Sequence, residues 1–213
     1  MFLSTSISLI AGIDEAGRGA LAGPVVAAAA ILTEPLVRKR RTPFPCWSPR
    51  RLGKGVKIAD SKVLTPEQRS ISYEWIATHC AYGIGIVSQE IIERDGILRA
   101  TELSMQEAVR RLRLRADPQF LLVDGRDRFR FDLPHISVIR GDQTEPCIAA
   151  ASILAKVTRD RIMRRWGSLI PAFGFDKHKG YGTEEHCMRI KRHGPCPLHR
   201  RSFLANILSP PRQ

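Results

Sequence analysis

No stretch of this sequence is apolar for long enough to cross a membrane. Leu3 to Ile13 falls well short of the roughly 20 residues a spanning helix needs. It has no basic leader and runs directly into Asp14 and Glu15, so a cleaved secretory signal is not expected and the cytoplasm is the default compartment. Paired cysteines are missing too. The five cysteines stand at 46, 80, 147, 187 and 196, an odd number with no CxxC arrangement. Cys187, His193, Cys196 and His199 lack the tight pairing that zinc-finger ligands take from a local turn, and reduced structural thiols are the expectation. No internal repeat is visible.

Acidic residues are also in short supply relative to basic ones. Thirty-four Lys and Arg against 21 Asp and Glu leave a formal charge of +13, with an isoelectric point near 10.2. A surplus of that size suits a polyanionic partner, because each phosphate contacted releases counterions. A solvated basic surface or attraction to anionic lipid would carry the same charge, so the motifs have to decide. A length of 213 residues and a hydrophobic fraction of 43% suit a single domain with a substantial core.

Along the chain, Ile7 to Ile13 is short, β-branched and bounded by glycine, which predicts a buried strand. Val25 to Leu32 follows a Gly23-Pro24 turn. The alanines at 27–30 would suit a helix by propensity, but the short run after the turn predicts a hairpin partner for the first strand. Residues 33–57 carry prolines at 35, 43, 45 and 49 among eight Lys and Arg, which predicts a long loop insertion without regular structure. It is either a mobile solvated segment or a phosphate-contacting flap. Thr65-Pro66-Glu67-Gln68 is a helix start, with Thr at the N-cap, Pro at N1 and Gln at N3, and the helix should run to about His79. Further strands are predicted at 82–87, 120–123 and 136–139. Helices are predicted at 89–114, interrupted near Asp95-Gly96, and at 148–166. Short helices at 183–193 and 200–208 belong to a C-terminal helical region from about 167 to 213. Clustered strands followed by alternation indicate an α/β chain with a mixed sheet covered by helices.

Three acidic features share one placement, at the end of an apolar strand beside glycine. They are Asp14-Glu15, Asp124-Gly125 and Gly141-Asp142. Strand ends are where α/β sheets build sites, and parallel neighbours would bring these carboxylates together across more than a hundred residues of sequence. Converging carboxylates repel one another. Hard divalent cations resolve that conflict, and two of them roughly 3.5–4 Å apart suit displacement at phosphorus. Taken singly, Asp124-Gly125 could equally be a turn. A binding protein without catalysis would have the same basic surplus but no use for carboxylates that repel phosphate.

Residues 12–26, Gly-Ile-Asp-Glu-Ala-Gly-Arg-Gly-Ala-Leu-Ala-Gly-Pro-Val-Val, closely resemble the opening signature of the ribonuclease HII family. So do Asp60-Ser61-Lys62, Val123-Asp124-Gly125, the run from Ala149 to Asp160, His178 to Thr183, and His193-Gly194-Pro195 with His199 to Phe203. The resemblance spans the chain apart from 33–57. It implies an RNase H-like fold with a mixed five-stranded sheet flanked by helices. It implies an endonuclease dependent on Mn²⁺ or Mg²⁺, with two ions during catalysis. Such an enzyme hydrolyses the RNA strand of RNA–DNA hybrids and cuts 5′ of ribonucleotides embedded in duplex DNA, leaving 3′-OH and 5′-phosphate ends. A monomer acting in ribonucleotide excision repair is expected. Asp14, Glu15, Asp124 and Asp142 are implied as metal ligands, and Gly17, Arg18, Gly19 and Tyr181 as readers of the ribose–deoxyribose junction. A Gly-Arg-Gly turn also allows close backbone approach, and only the 2′-OH tells RNA from DNA. Ser61, Lys62 and Lys156 are candidate phosphate contacts, with solvated charge as the alternative for the lysines. A ribonuclease HIII of the same fold would carry a further substrate-binding domain ahead of Asp14, which the sequence does not show. Departures from the family pattern lie at Gly96, where the family carries asparagine, in the run Gln143 to Cys147 after Asp142, and in the longer, more basic 33–57 segment.

Overall fold

The structure, a computed structural model, describes residues 9–32 and 53–208, together with the backbone of two short strands between them. β1 (Ile10–Ala16) and β2 (Val25–Ile31) form the predicted antiparallel hairpin, with Ile13 opposite Ala29. β5 (Ala81–Val87) pairs antiparallel on the far side of β2, while β6 (Phe120–Asp124) and β7 (His135–Val138) add parallel strands beyond β1. The sheet is therefore mixed and five-stranded, in the order β5-β2-β1-β6-β7. The first strand starts and ends three residues later than predicted, so Asp14 and Glu15 lie within it rather than after it. The segment read as an unstructured loop contains a small antiparallel pair, β3 (Leu36–Arg38) with β4 (Trp47–Pro49). A proline at the end of such a short edge strand need donate nothing to a ladder, which is why the proline count misled there. The basic residues between these strands lie outside the described residues.

Two helices cover the sheet, one on each face. α3 (Ile97–Leu112) lies against β5 and β2, and α5 (Pro146–Leu169) lies against β1 and β2. Both approach closely because the sheet offers almost no side chain at the contacts. A Cβ on Gly83 or Gly85 would fall about 2 Å from the backbone of Ala108 or Ser104, and one on Gly12 would meet the Cys147 backbone. The four consecutive alanines of β2, all fully buried, serve the same purpose from the middle of the sheet. Burial between two helices overrides their helix propensity. Alternation then divides the core. Even positions of β1 and β6, with Leu122, face Ile148, Ala151 and Leu154 of α5, while odd ones, with Ala11, Ile13, Leu121 and Val123, face Met105, Ala108 and Leu112 of α3.

α1 (Pro66–His79) begins with the predicted reciprocal cap. Thr65 Oγ1 accepts from the Gln68 amide while the Gln68 side chain accepts from the Thr65 amide. The stretch predicted at 89–114 breaks at Gly96 into α2 (Gln89–Asp95) and α3. After β7 comes the one-turn α4 (Gly141–Thr144). The C-terminal region holds α6 (Phe175–His178), α7 (Glu184–His193) and α8 (Ala205–Leu208). Cys187 and Cys196 are free thiols. Cys147 is disulfide-bonded, against the expectation of reduced cysteines throughout. Among the described residues, no helix is long and apolar enough to cross a membrane.

Candidate active site

Parallel pairing sets the site. Ile13 lies opposite Val123, so the next residues, Asp14 and Asp124, reach the same level at the carboxyl ends of adjacent strands and point to the α5 face. Asp124 in turn lies opposite Val138 of β7, and the chain leaves that strand through Arg140, in the left-handed region at φ 55°, to place Asp142 on α4. Asp124 fixes this turn by accepting from the amides of Gly141 at 2.7 Å and Asp142 at 3.4 Å. One carboxylate oxygen from each of Asp14, Asp124 and Asp142 lies within 4.8 Å of the others.

Glu15 is not in that cluster. It follows Asp14 on the strand, so alternation turns it toward the α3 face and the rim of the sheet. There Arg18 Nη1 lies 3.7 Å from its Oε1 and bonds Asp127 Oδ2 at 2.6 Å. It remains close enough for the Asp124 charge to act on it.

The electrostatics are those of a site short of positive charge. Burial, followed by the charges of Glu15 and Asp124, pushes the Asp14 carboxyl well above the usual carboxylate range. Burial raises Glu15 to about 7 against the pull of Arg18, and burial with Asp142 raises Asp124. Two devices oppose this at Asp14: its Oδ1 accepts from the Glu15 amide at 2.7 Å, and it accepts from the Ser152 hydroxyl. Ser152 Oγ is in turn 2.9 Å from Ser61 Oγ, so the buried Ser61 supports Asp14 from behind. Among the described residues, the only ion pair to the cluster is Lys62 Nζ to Asp142 Oδ2 at 3.2 Å, from a side chain 77% exposed. An all-oxygen donor set of converging, largely buried carboxylates fits hard divalent cations such as Mg²⁺ or Mn²⁺.

Beside the cluster, residues 17–24 form a loop held from behind by two buried arginines that sequence reasoning did not single out. Arg159, fully buried on α5, donates to the carbonyls of Pro24, Ala22 and Lys179 at 2.9–3.0 Å. Arg200, equally buried, donates twice to Gly23 and once to Arg18. Gly17, at φ 94°, packs so tightly on Arg159 that a Cβ would lie 1.9 Å from Nε. Gly19 is exposed with open space around its Cα, so the turn presents bare backbone outward at Gly19. Backbone bonds join the loop to the C-terminal region: Leu21 N–H to Gly180 O, Gly23 N–H to Leu198 O, and Arg200 N–H to Leu21 O, all at 2.8 Å.

Tyr181, half-buried, stands beside this loop. Its ring lies 5.0 Å from the Arg159 guanidinium carbon and 5.3 Å from Lys156 Nζ. Lys156 also pairs with the buried Asp160 at 2.8 Å, so it is a partnered charge and not a freely solvated one. The structure thus gathers Asp14, Asp124 and Asp142 in one cluster, with Lys62 at its edge and Glu15 at its rim. It places Gly17, Arg18 and Gly19 directly after Glu15, and Lys156 and Tyr181 on the far side of Arg159. Asp127, Ser152, Arg159 and Arg200 were missed. Ser152, Arg159 and Arg200 fell inside stretches the sequence had marked, without a role assigned to them, and Asp127 fell outside them.

A sequence model of the family described as Ribonuclease HII matches residues 11–206. The chain is 42% identical over 207 residues to the ribonuclease HII of Caldicellulosiruptor saccharolyticus, covering 97% of this chain and 92% of that one. It is 45% identical over 199 residues to the ribonuclease HII of Chlamydia muridarum, covering 92% and 82%. The fold superposes on the enzyme in a PCNA:RNase HII complex from Archaeoglobus fulgidus with a TM-score of 0.64, at 25% identity over 86% of this chain and 87% of that one. With the family model matching nearly the whole chain and relatives above 40% identity across most of it, the chain belongs to the ribonuclease HII family of nucleases.

Proposed function

We propose that the chain hydrolyses the RNA strand of RNA–DNA hybrids and cuts duplex DNA on the 5′ side of embedded ribonucleotides, leaving 3′-OH and 5′-phosphate ends. The observation that carries this reading is the cluster of Asp14, Asp124 and Asp142 lying next to a glycine turn with bare backbone. Asp14, Asp124 and Asp142 would hold the divalent ions, Mn²⁺ or Mg²⁺, with Glu15 joining from the rim. Bound there, a pair of such ions supplies an activated water and charge neutralisation at the scissile phosphate.

The protein's own groups account for the rest. Ser61 and Ser152 hold the Asp14 carboxylate in place and favour its ionised form. The backbone of Gly17 to Gly19 can approach a ribose closely enough to bond its 2′-OH, the group that separates RNA from DNA. Tyr181 offers its ring to the neighbouring deoxyribose, beside the charges of Arg159 and Lys156. Lys62, largely exposed at the mouth of the cluster, is placed to meet a phosphate on arrival, and Lys156 to meet one further along. The net charge of +13 draws the duplex as a whole and makes its binding salt-dependent. A monomer suffices, since every proposed group comes from one chain.

Purified protein, incubated with Mn²⁺ and then Mg²⁺, should nick a DNA duplex carrying one ribonucleotide and should cut a continuous RNA–DNA hybrid. Cleavage of neither substrate with either metal would refute the proposal. Products carrying 3′-phosphate ends would refute the chemistry.

A further inference from the structure

Three of the six histidines, unused by this reading, are buried together. His178 ends α6, His186 lies on α7, and His199 precedes Arg200; none is more than 9% exposed. His178 and His186 stack with ring centroids 4.1 Å apart, and His186 Nε2 lies 3.1 Å from His199 Nε2. Phe173 and Phe175 close the cluster edge-on.

The hydrogen bonds fix every proton in this cluster. His186 Nδ1 faces the Tyr181 carbonyl at 2.9 Å and must donate. In a neutral ring its Nε2 then accepts, so His199 Nε2 is the donor between the two. His199 Nδ1 is left as an acceptor: the Cys196 amide donates to it at 2.9 Å, nearer than the Cys196 carbonyl at 3.3 Å. His178 solves the same problem separately: Nε2 donates to the Phe173 carbonyl at 2.8 Å while Nδ1 accepts from the Gly180 amide at 3.1 Å. A second proton on any ring would confront an N–H already pointing at it.

The surroundings oppose that second proton as well. Burial lowers all three, His186 to about 4. Glu185 favours a charged His178, while Arg189 and Lys179 disfavour it. His178 and His199 disfavour a charged His186, and His178 does the same to His199. Glu185 is itself held by Arg189 at 2.8 Å.

What the neutral rings grip is the backbone on either side of the candidate reader. Gly180 and Tyr181 are held by His178 and His186, and Gly180 O receives Leu21 of the 17–24 loop. The turn from Cys196 to His199 is held by His199, and its Leu198 O receives Gly23. We propose that His178, His186 and His199 are positioning residues: a fixed set of neutral tautomers that aligns Tyr181 and the Gly17–Gly19 turn for selecting a ribose–deoxyribose junction. This rests on the reading that Tyr181 and the turn contact substrate there.

The tautomers are read directly by nitrogen-15 NMR of the histidine rings. Nδ1-H should be found on His186 and Nε2-H on His178 and His199 at pH 7; any other assignment, or a charged ring, overturns the proposal whatever the substrate proves to be. Function is tested with two substitutions. His186→Phe keeps the volume and loses both bonds, while His186→Asn keeps a donor for the Tyr181 carbonyl. His186→Phe should raise KM for a single-ribonucleotide duplex about tenfold, the scale of one well-placed hydrogen bond. Its kcat should change less, its Mn²⁺ affinity should stay unchanged, and His186→Asn should restore most of KM. A folded His186→Phe with wild-type KM would overturn the proposal, as would equal impairment of both variants. If His186→Phe does not fold, His199→Phe and His199→Gln, which keeps the donor to His186, make the same comparison. Tyr181→Ala separates the two claims. If it leaves KM unchanged, the junction reading fails; if it raises KM while His186→Phe does not, the positioning role fails.

Discussion

The two walls of this site solve the same electrostatic problem in opposite ways. On the carboxylate wall, at the ends of β1, β6 and β7, Asp14 is buried and Asp124 half-buried, both without an ion-pair partner among the described residues. On the loop wall, Arg159 and Arg200 are equally buried but complete, because carbonyl oxygens of residues 18–24 and Lys179 surround their guanidinium groups. The histidines behind that wall are complete as neutral rings. One wall is finished by folding, whereas the other awaits cations from solution. Groups that must be rigid are satisfied internally, and groups that must bind are left in deficit.

The sharpest way to break this comparison is Asp14→Asn. Cleavage should fall by about three orders of magnitude or more in single-turnover assays, since a primary ligand is lost. The same substitution should raise the melting temperature of the metal-free protein at pH 8, because an uncompensated buried charge is gone. Arg159→Met should do the reverse. Three carbonyls would lose their donor, costing about 3 kcal/mol in chemical denaturation, while Mn²⁺ affinity of the folded fraction should hold.

Acidity distinguishes the walls next. Glu15 rises from 4.5 to about 7 on folding, and Asp14 and Asp124 move the same way. A carboxyl raised on folding favours the folded state while protonated. That contribution is whole below the unfolded value and is lost as pH climbs through the folded one. Metal-free protein should therefore lose stability between about pH 4.5 and 7, and Glu15→Gln should flatten the curve in urea melts. A smaller effect is expected from Ser152→Ala, which removes a hydrogen bond to ionised Asp14 and should weaken Mn²⁺ binding about tenfold by calorimetry. Smallest is Lys62→Ala. Its exposed charge should matter about threefold in KM at low salt, and less as salt screens it.

The carboxylate wall was the more legible of the two in sequence. Asp14, Asp124 and Asp142 announce themselves as acids beside glycine after apolar runs, and the hairpin and the capped α1 follow from local signals at Gly23-Pro24 and Thr65 to Gln68. The facing of Glu15 was not legible, because it depends on where β1 ends, and that strand runs three residues further than its apolar pattern indicated. The loop wall was almost silent. Arg159 and Arg200 bond carbonyls 135 and 177 residues away, and any basic side chain in a +13 chain reads as surface. Of the three histidines only His199 was weighed as a metal ligand, His178 and His199 lay within motifs of the family resemblance without a role of their own, and His186 was not singled out. Their partners are backbone groups, which leave no trace in residue type. The 33–57 segment misled for a different reason, since its prolines permit the short edge pair formed by β3 and β4.

The contrast between a complete wall and an incomplete one is tested most directly by titrating metal-free protein with Mn²⁺ at several pH values while counting released protons. Binding should tighten as pH rises through about 7, release protons below it, and be lost in Asp14→Asn. Binding that ignores pH and survives that substitution would contradict the account.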